Sequence, residues 1–309
     1  MLLGPTAVGK TKLSLELAEA YNAEIISGDS MQVYRGMSIG TAKITPDEMK
    51  GIPHHLIDIH EPEEAYSAAE FQEQGKRLIE EISGRGKLPF IVGGTGLYIE
   101  SLCYGFRFSE AVADEAFRSE QDAFAEEHGA EALHARLAAV DPASAARLHP
   151  NDRRRIIRAL EIHHQTKVTL SAGQAEQKKE SPYELCLIGL TMDRAVLYSR
   201  IEKRIDLMLE QGLIDEVKGL LDKGCDRSLV SMQGLGYKEI AAYLAGELTL
   251  EDAVTLLKRD TRRFAKRQLS WFRHMKEIHW IEDFNEANFT DNFAEIRRMI
   301  SERFGDSLE

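Results

Sequence analysis

The sequence predicts an α/β protein, in which a parallel sheet flanked by helices carries one mostly helical insertion. A short apolar run, a glycine loop and a helical segment follow one another within the first 21 residues. Further apolar runs end in glycine or polar residues, as buried parallel strands do. Between about residues 107 and 181, by contrast, apolar residues recur at helical spacing and the strand patterns disappear.

The core elements are predicted in chain order. Four apolar runs predict buried strands at residues 1–3, 24–27, 88–92 and 184–190. Residues 10–21 form a helix with a broad apolar face, and a second helix begins near Leu97, directly after a glycine turn at residues 93–96. Strands that alternate with helices in this way are typical of parallel sheets.

The helical segment divides the chain into two predicted domains. Residues 1–106 and 182–309 form the sheet core with its C-terminal basic helices, and residues 107–181 form the insertion domain. The last part of the insertion, residues 173–182, is polar and contains helix-breaking residues, which predicts a loop. A length of 309 residues is sufficient for two domains.

Three helices are predicted after the insertion. The first is amphipathic and the second is strongly basic; the last has Thr290 as its predicted N-cap. The apolar face of the first helix contains Ile201, Ile205, Met208 and Leu209.

The composition excludes several classes of protein. Hydrophobic residues make up 43% and charged residues 29%, which is typical of a soluble globular chain and excludes disorder, collagen and disulfide-rich mini-proteins. The sequence has no apolar run of the roughly 20 residues that a membrane-spanning helix needs, and its first residues do not resemble a targeting leader. We therefore expect a cytoplasmic protein that has no membrane partner. Cys103, Cys186 and Cys225 are far apart and predict unpaired thiols.

The charge is unevenly distributed. The formal net charge is -12, yet residues 258–276 contain eight basic residues and one acidic residue, Asp260. A shorter basic stretch contains Arg147, Arg153, Arg154, Arg155 and Arg158. Local basic surfaces of this kind can neutralise nucleic-acid phosphates whatever the net charge. Each stretch is equally explained by the solvated face of a helix.

Residues 4–11 match the phosphate-binding loop pattern of two glycines, four intervening residues, Lys and a hydroxyl residue. The match comprises Gly4, Pro5, Thr6, Ala7, Val8, Gly9, Lys10 and Thr11. Loop amides and the following helix N-terminus bind an anion, Lys10 adds positive charge, and the Thr11 hydroxyl can hold Mg²⁺. The predicted core is therefore P-loop NTPase-like, with Mg²⁺ as the expected cofactor.

Asp29 is the candidate for the second chemical role. It follows the second predicted strand and therefore lies near the phosphate loop. From this position it can hold a metal ion, accept a proton from a substrate hydroxyl or amine, or simply cap the next segment. The residues alone leave these three alternatives open.

Eight motifs in this order resemble those of the bacterial tRNA dimethylallyltransferases over nearly the whole chain. They are residues 4–11, Asp29-Ser30-Met31-Gln32-Val33-Tyr34, Ile39-Gly40-Thr41-Ala42-Lys43, Pro53-His54-His55-Leu56-Ile57-Asp58, Gly93-Gly94-Thr95-Gly96-Leu97-Tyr98, His149-Pro150-Asn151-Asp152, Gly234-Leu235-Gly236-Tyr237 and Lys266-Arg267-Gln268. The departures from the family pattern are small, with Ile44 where proline is frequent and Ser270 where threonine is common. The resemblance implies transfer of a dimethylallyl group from its diphosphate to the exocyclic amine of the adenosine just 3′ of the anticodon.

The resemblance also assigns roles in this reaction. Lys10 and Mg²⁺ near Thr11 would stabilise the diphosphate leaving group, and Arg204 would make a further contact with it. Asp29 would accept the amine proton, with Thr95 beside it as a hydrogen-bond partner. The expected partners are the anticodon stem-loop of tRNA and dimethylallyl diphosphate, and we expect a monomer.

An anticodon-loop adenosine must leave its stack to react, which requires a base pocket and a positive surface. The resemblance assigns tRNA contacts to Asp29, Ser30, Met31, Gln32, Thr95, Arg118, Arg154, Arg155, Ile156, Ile157, Arg158, Gln233, Gly236, Tyr237, Lys238, Lys266, Arg267, Gln268 and Arg273. For Trp271 and Phe272, core packing is at least as good an explanation as base stacking.

Three other functions fit part of the sequence. A small-metabolite or nucleotide kinase would use the loop for ATP and Asp29 as a base, but the distant basic stretches disfavour it. An isopentenyltransferase acting on free adenine nucleotides would not need the insertion. An RNA-binding module with a vestigial loop is disfavoured by the intact Lys10-Thr11 pair.

Overall fold

The structure is a computed structural model that describes residues 1–177 and 180–305. Its strands form one sheet in which every paired neighbour is parallel. In chain order they are β1 (Leu2–Leu3), β2 (Ala23–Gly28), β3 (His54–His55), β4 (Leu88–Gly93), β5 (Ile188–Leu190) and β6 (His279–Ile281). The spatial order is β3-β2-β4-β1-β5-β6. The predicted α/β class with a parallel sheet is confirmed.

Helices connect these strands and form the insertion. In chain order they are α1 (Lys10–Ala20), α2 (Ala68–Gly84), α3 (Gly96–Tyr104), α4 (Glu115–His128), α5 (Ala130–Val140), α6 (Pro142–Ala145), α7 (Arg153–Thr166), α8 (Leu170–Ala175), α9 (Arg194–Glu210), α10 (Leu213–Asp222), α11 (Tyr237–Leu244), α12 (Leu250–Phe272) and α13 (Phe289–Phe304). A short 3₁₀ turn, Ser231–Gln233, precedes α11.

The order of the strands sets the position of the site. β1 lies between β4 and β5, and both of its residues are fully buried. Because β1, β2 and β4 are parallel, the loops that follow them meet at the same edge of the sheet. The phosphate loop, the Asp29 turn and the glycine turn at residues 93–96 are these three loops.

The chain divides into two compact units. One contains residues 1–103 together with the described residues from Ser181 onward, and the other contains residues 104–180 apart from the undescribed pair. The sequence placed these boundaries at 106/107 and 181/182. The smaller unit has its own apolar core, in which Leu133, Leu137 and Ile156 are fully buried.

Three details differ from the sequence predictions. The fourth strand is shorter than predicted, since only Ile188–Leu190 pair. Part of the predicted loop at 173–182 is helical, because Thr169 caps α8 by accepting a hydrogen bond from the Ala172 amide; Lys178 and Lys179 lie outside the described residues. Thr290 is not an N-cap, because α13 begins one residue earlier, at Phe289.

The cysteine prediction is confirmed. All three side chains are free thiols, and Cys103 and Cys225 are buried. Burial raises the pKa of Cys103 to about 12. Across the part of the chain that the structure describes, no helix has the length and apolar character needed to cross a membrane.

Candidate active site

The phosphate loop leads from β1 into α1. Gly9 adopts a φ of 107°, in the left-handed region that favours glycine, and the helix begins at the next residue, Lys10. Within the described residues no side chain caps this helix end. The first amides of α1 and the positive end of its dipole are therefore available to an anion.

Lys10 folds back over the loop. Its ammonium donates hydrogen bonds to the carbonyl oxygens of Gly4 at 2.9 Å and Pro5 at 2.8 Å. Burial, and after it the charge of Arg204, lowers the pKa of Lys10 from 10.5 to about 7, while Asp29 acts in the opposite direction. A cation that is destabilised in this way gains stability when an anion binds beside it.

Arg204 and Arg200 project from α9 towards the same loop. Arg200 donates a weak hydrogen bond to the carbonyl oxygen of Val8 at 3.4 Å. Burial and the charge of Arg200 lower the pKa of Arg204, although a guanidinium stays protonated at neutral pH. No carboxylate among the described residues forms an ion pair with Arg204 or Lys10. The loop therefore has three clustered cations that an anionic substrate can neutralise.

Asp29 directly follows β2, at the end of the strand next to the loop. Its Oδ1 accepts hydrogen bonds from the amides of Met31 at 2.8 Å and Gln32 at 3.2 Å. These bonds fix the carboxylate in a turn. Oδ2 accepts no hydrogen bond from the described residues, so it is available to a substrate. Oδ1 of Asp29 therefore caps the following turn, as one of the three alternatives predicted. Oδ2 can still hold a metal ion or accept a proton.

Thr95 contacts the neighbour of Asp29 rather than Asp29 itself. Its Oγ1 accepts a hydrogen bond from the Ser30 amide at 3.1 Å and lies 3.4 Å from the Ser30 hydroxyl. Thr95 was expected to be a hydrogen-bond partner of Asp29, but it bonds instead to the next residue, Ser30. Thr95 joins the glycine turn after β4 to the turn that contains Asp29.

The opposite wall of the cleft is held by Glu216, which the sequence motifs did not identify. Its carboxylate accepts hydrogen bonds from the Ser38, Ile39 and Gly40 amides at 2.8 to 3.0 Å and from the Tyr237 hydroxyl at 2.7 Å. One carboxylate on α10 thus fixes the loop at residues 38–40 against α11. The Ile39–Lys43 and Gly234–Tyr237 motifs pointed to this region, but neither indicated the acid that joins them.

These elements enclose a cleft of about 840 Å³. It contains most of the predicted site residues of the larger unit: Thr6, Ala7, Gly9, Lys10, Thr11, Asp29, Ser30, Met31, Gln32, Thr95, Arg204, Gln233, Gly236, Tyr237, Lys238, Arg267 and Gln268. Loop cations and an available carboxylate oxygen therefore share one space that is large enough for a diphosphate ester and a base.

Comparison with known proteins places the chain in a family. Residues 32–275 match the family model described as IPP transferase. The chain belongs to the IPP transferase family. A tRNA dimethylallyltransferase from Geobacillus thermodenitrificans is 52% identical over 301 residues, which cover 97% of this chain and 95% of that relative. One from Bacillus subtilis is 56% identical over 282 residues, covering 91% and 90%.

Solved structures agree with this placement. The tRNA isopentenylpyrophosphate transferase from Bacillus halodurans superposes with a TM-score of 0.74 at 50% identity, covering 99% of this chain and 96% of that one. A eukaryotic dimethylallyltransferase acting on tRNA gives a TM-score of 0.80 at 31% identity, covering 98% and 79%. The resemblance drawn from the eight motifs is confirmed.

In this IPP transferase family chain, several residues assigned to tRNA contacts are buried. Ile156 and Ile157 are 0% and 5% exposed and belong to the core of the smaller unit. Tyr237 is fully buried, with its hydroxyl bound to Glu216. These three side chains therefore pack inside the protein, and their assignment to tRNA contacts stays a prediction. The assignment took whole runs of consecutive residues, such as 154–158. In a helix, every third or fourth residue of such a run faces the core.

Two of the predicted arginines form a buried ion-pair network. Glu161 is 0% exposed and accepts hydrogen bonds from Arg118 and Arg158. Burial alone would raise the pKa of Glu161, but the hydrogen bonds from Arg118 and from the Asp114 amide outweigh it and lower the pKa. Arg118 and Arg158 therefore stabilise the smaller unit, whereas Arg154 and Arg155 are exposed on α7.

The C-terminal basic stretch is partly neutralised. Lys258 pairs with Asp206 at 2.6 Å, and Arg262 pairs with Glu202. Both acids lie on α9, outside residues 258–276. Counting only the acidic residue within that stretch, Asp260, therefore underestimated how much of its positive charge is neutralised. Lys266, Arg267 and Arg273 are exposed and form no ion pair with a described residue. Phe272 is fully buried, and Trp271 packs on Gly96.

Proposed function

We propose that this chain transfers the dimethylallyl group of dimethylallyl diphosphate to the exocyclic amine of the adenosine just 3′ of the tRNA anticodon. One observation supports this most strongly. Lys10 and Arg204, which have no acidic partner among the described residues, share a cleft with an available carboxylate oxygen of Asp29, in a chain more than half identical to proteins named tRNA dimethylallyltransferase. Leaving-group stabilisation and proton acceptance are the two requirements of such a transfer.

The leaving group is bound at the phosphate loop. As the carbon–oxygen bond of the allylic ester breaks, negative charge grows on the departing diphosphate. Lys10, Arg204 and the first amides of α1 are already in place to receive this charge. A single preorganised donor of this kind contributes on the order of 3 kcal/mol to transition-state stabilisation.

Asp29 receives the proton. The adenosine amine attacks the allylic carbon, a carbon–nitrogen bond forms, and the amine proton passes to Oδ2 of Asp29 while diphosphate leaves. The hydrogen bonds from Met31 and Gln32 to Oδ1 keep the carboxylate in one orientation. A positioned base of this type accounts for roughly two to four orders of magnitude in rate.

Mg²⁺ is the expected cofactor, and the donor set fits it. Mg²⁺ is usually held by one or two protein oxygens together with substrate phosphates. Thr11 lines the cleft and offers such an oxygen. Among the described residues there is no cluster of three or more His, Cys, Asp or Glu side chains that would form a full protein cage. When bound, Mg²⁺ would help to neutralise the diphosphate.

The RNA surface is proposed from exposed cations. Arg267 lines the cleft, and Lys266 and Arg273 lie on the same helix or at its C-terminal end. Arg154 and Arg155 supply exposed charge on the smaller unit. Contacts of this kind neutralise phosphates and support an RNA loop whose target base is extruded. We further propose that the enzyme acts in the cytoplasm as a monomer.

The direct test uses labelled dimethylallyl diphosphate and unmodified tRNA. Digestion of the product should place the label on the adenosine 3′ of the anticodon, and Lys10→Ala protein should leave the RNA unlabelled. Parallel reactions with free AMP or with ATP separate the alternatives. Labelled AMP without labelled tRNA would indicate a free-nucleotide enzyme, and ATP turnover alone would indicate a kinase or hydrolase. Retention of RNA without any transfer would indicate a binding module.

A further inference from the structure

Gln268 lies on the basic helix α12, but its side chain points into the protein. It is 6% exposed, although the neighbouring Arg267 is exposed. Its Oε1 accepts a hydrogen bond from the Thr6 amide at 2.9 Å, and its Nε2 donates one to the Gly94 carbonyl oxygen at 3.0 Å. One amide group therefore bridges the phosphate loop and the glycine turn after β4.

The glycine turn leaves room for α12. A Cβ atom on Gly94 would lie 2.3 Å from Nε2 of Gln268, and one on Gly96 would lie 2.4 Å from the Trp271 ring. Gln268 and Trp271 are three residues apart and so lie on the same face of the helix. Trp271 also donates a hydrogen bond from Nε1 to Glu100 at 3.0 Å. The close approach of α12 thus explains both glycines.

These contacts connect the two halves of the cleft. Thr6 belongs to the loop that surrounds the cations, and Gly94 immediately precedes Thr95. Thr95 in turn accepts the hydrogen bond from Ser30, the residue after Asp29. Three hydrogen bonds, together with the peptide links Gly94–Thr95 and Asp29–Ser30, therefore connect the phosphate loop through Gln268 to the turn that holds the proposed base.

We propose that Gln268 is a positioning residue: by bridging Thr6 and Gly94 it sets the separation between the diphosphate subsite and the Asp29 side of the cleft. This inference rests on the proposed function and replaces the expectation that Gln268 contacts tRNA. Both halves of the amide are engaged within the protein, so RNA binding is left to exposed neighbours such as Arg267. Since rates of group transfer depend steeply on the geometry of the reacting groups, loss of the bridge lowers turnover more than it lowers RNA affinity.

Two variants separate hydrogen bonding from packing. Gln268→Ala removes the bridge and leaves a gap, whereas Gln268→Met removes the bridge and keeps most of the volume. For both we expect single-turnover transfer at saturating substrates to fall by roughly 10- to 100-fold, with the tRNA dissociation constant within about twofold of wild type. Arg267→Ala, the exposed neighbour, should instead weaken tRNA binding several-fold. A thermal melt of each protein establishes that it is folded.

Three outcomes would overturn the inference. A wild-type rate in Gln268→Met would show that packing, and not the bridge, matters. A loss of tRNA affinity in step with the rate would show that Gln268 serves RNA binding. An unchanged transfer rate in both variants would show that Gln268 has no role in positioning the reacting groups.

The affinity for inorganic pyrophosphate gives a readout that does not depend on prenyl transfer. We expect it to weaken several-fold in both Gln268 variants, because the Thr6 end of the loop loses its partner. Absence of transfer in the wild-type enzyme would contradict the proposed function alone, whereas unchanged pyrophosphate binding in both variants would contradict the role of Gln268.

Discussion

The ammonium of Lys10 donates a hydrogen bond to the carbonyl oxygen of Gly4, the first residue of the phosphate loop, at 2.9 Å. The lysine thus closes the loop on itself and takes a place that brings it close to Arg204. Both contacts lie on the side of the cleft where we propose that the diphosphate binds. The basic residues proposed to contact RNA lie on other elements, α7 and α12, although Arg267 also lines the cleft.

Lys10→Ala should therefore abolish most prenyl transfer while tRNA affinity stays within a few fold of wild type. The loss arises because leaving-group charge is no longer neutralised. Filter retention of tRNA and single-turnover transfer, measured on the same folded protein, check the two parts. An equal loss of tRNA binding would contradict the separation of the two subsites.

The pKa of Lys10 predicts proton uptake on diphosphate binding. With a pKa of about 7, Lys10 is mostly neutral at pH 8 in the free protein. A bound diphosphate favours the ammonium and raises this pKa, so the contribution of Lys10 to affinity is complete below pH 7 and decreases as the pH rises through the pKa of the complex. Calorimetry with inorganic pyrophosphate at pH 8, in two buffers of different ionisation enthalpy, should show roughly one more proton taken up by wild type than by Lys10→Ala. Equal uptake would rule out the titration of Lys10.

The sheet core was predictable where strands are apolar and end in a recognisable loop. β2 and β4 combine buried Ile residues with such endings. β3 consists of His54 and His55, and β6 of three residues from His279, so neither contains an apolar run long enough to be recognised. These short strands form because they pair with the edges of an already assembled sheet. That pairing depends on the tertiary structure and leaves no local pattern in the sequence.

The site was predictable to the extent that its chemistry lies within contiguous motifs. The phosphate loop and the Asp29 turn are local, so their residues were identified. Glu216 accepts a hydrogen bond from the Ser38 amide, 178 residues away in sequence. Gln268 accepts one from the Thr6 amide, 262 residues away. One sequence contains no signal for such pairs, because the partners are neighbours only after the sheet and helices have packed.

Glu216→Ala should destabilise the protein by about 1–3 kcal/mol, since the buried Tyr237 hydroxyl and three amides lose their acceptor. Tyr237→Phe, which removes one of these bonds, should cost about 1 kcal/mol. Chemical denaturation of both variants measures the free energies of unfolding. If Glu216→Ala were no less stable than Tyr237→Phe, the carboxylate would not be what holds the loop at residues 38–40.

The exposed arginines of α7 should contribute to the salt dependence of tRNA binding. Replacing Arg154 and Arg155 together should reduce the slope of log affinity against log salt by about one for each RNA phosphate that is no longer neutralised. Arg298→Ala is a matched control, because the Arg298 side chain is 68% exposed, as is that of Arg155, and it lies on α13. An unchanged slope in the double variant would mean that this stretch is only a solvated helix face.

Asp29 gives the sharpest test of the chemistry. Asp29→Ala and Asp29→Asn should each lower the rate of prenyl transfer by roughly two to four orders of magnitude, as expected for the loss of a positioned base. Substrate binding should survive, because Lys10, Arg204 and the loop amides remain. Asp29→Asn keeps the oxygen that accepts the Met31 and Gln32 amides, so it separates proton acceptance from support of the turn.

A metal-ligand role for Asp29 predicts a different pattern. If the carboxylate held Mg²⁺, high Mg²⁺ would restore part of the activity of both variants, and affinity for the diphosphate would weaken. Proton acceptance predicts no rescue, because added Mg²⁺ does not replace a base at the adenosine amine. Single-turnover rates across a Mg²⁺ titration distinguish these roles, and near wild-type rates in both variants would exclude Asp29 as the base. Since Oδ1 is already held by two backbone amides, a slow Asp29→Asn enzyme with intact diphosphate affinity would assign the chemistry to Oδ2.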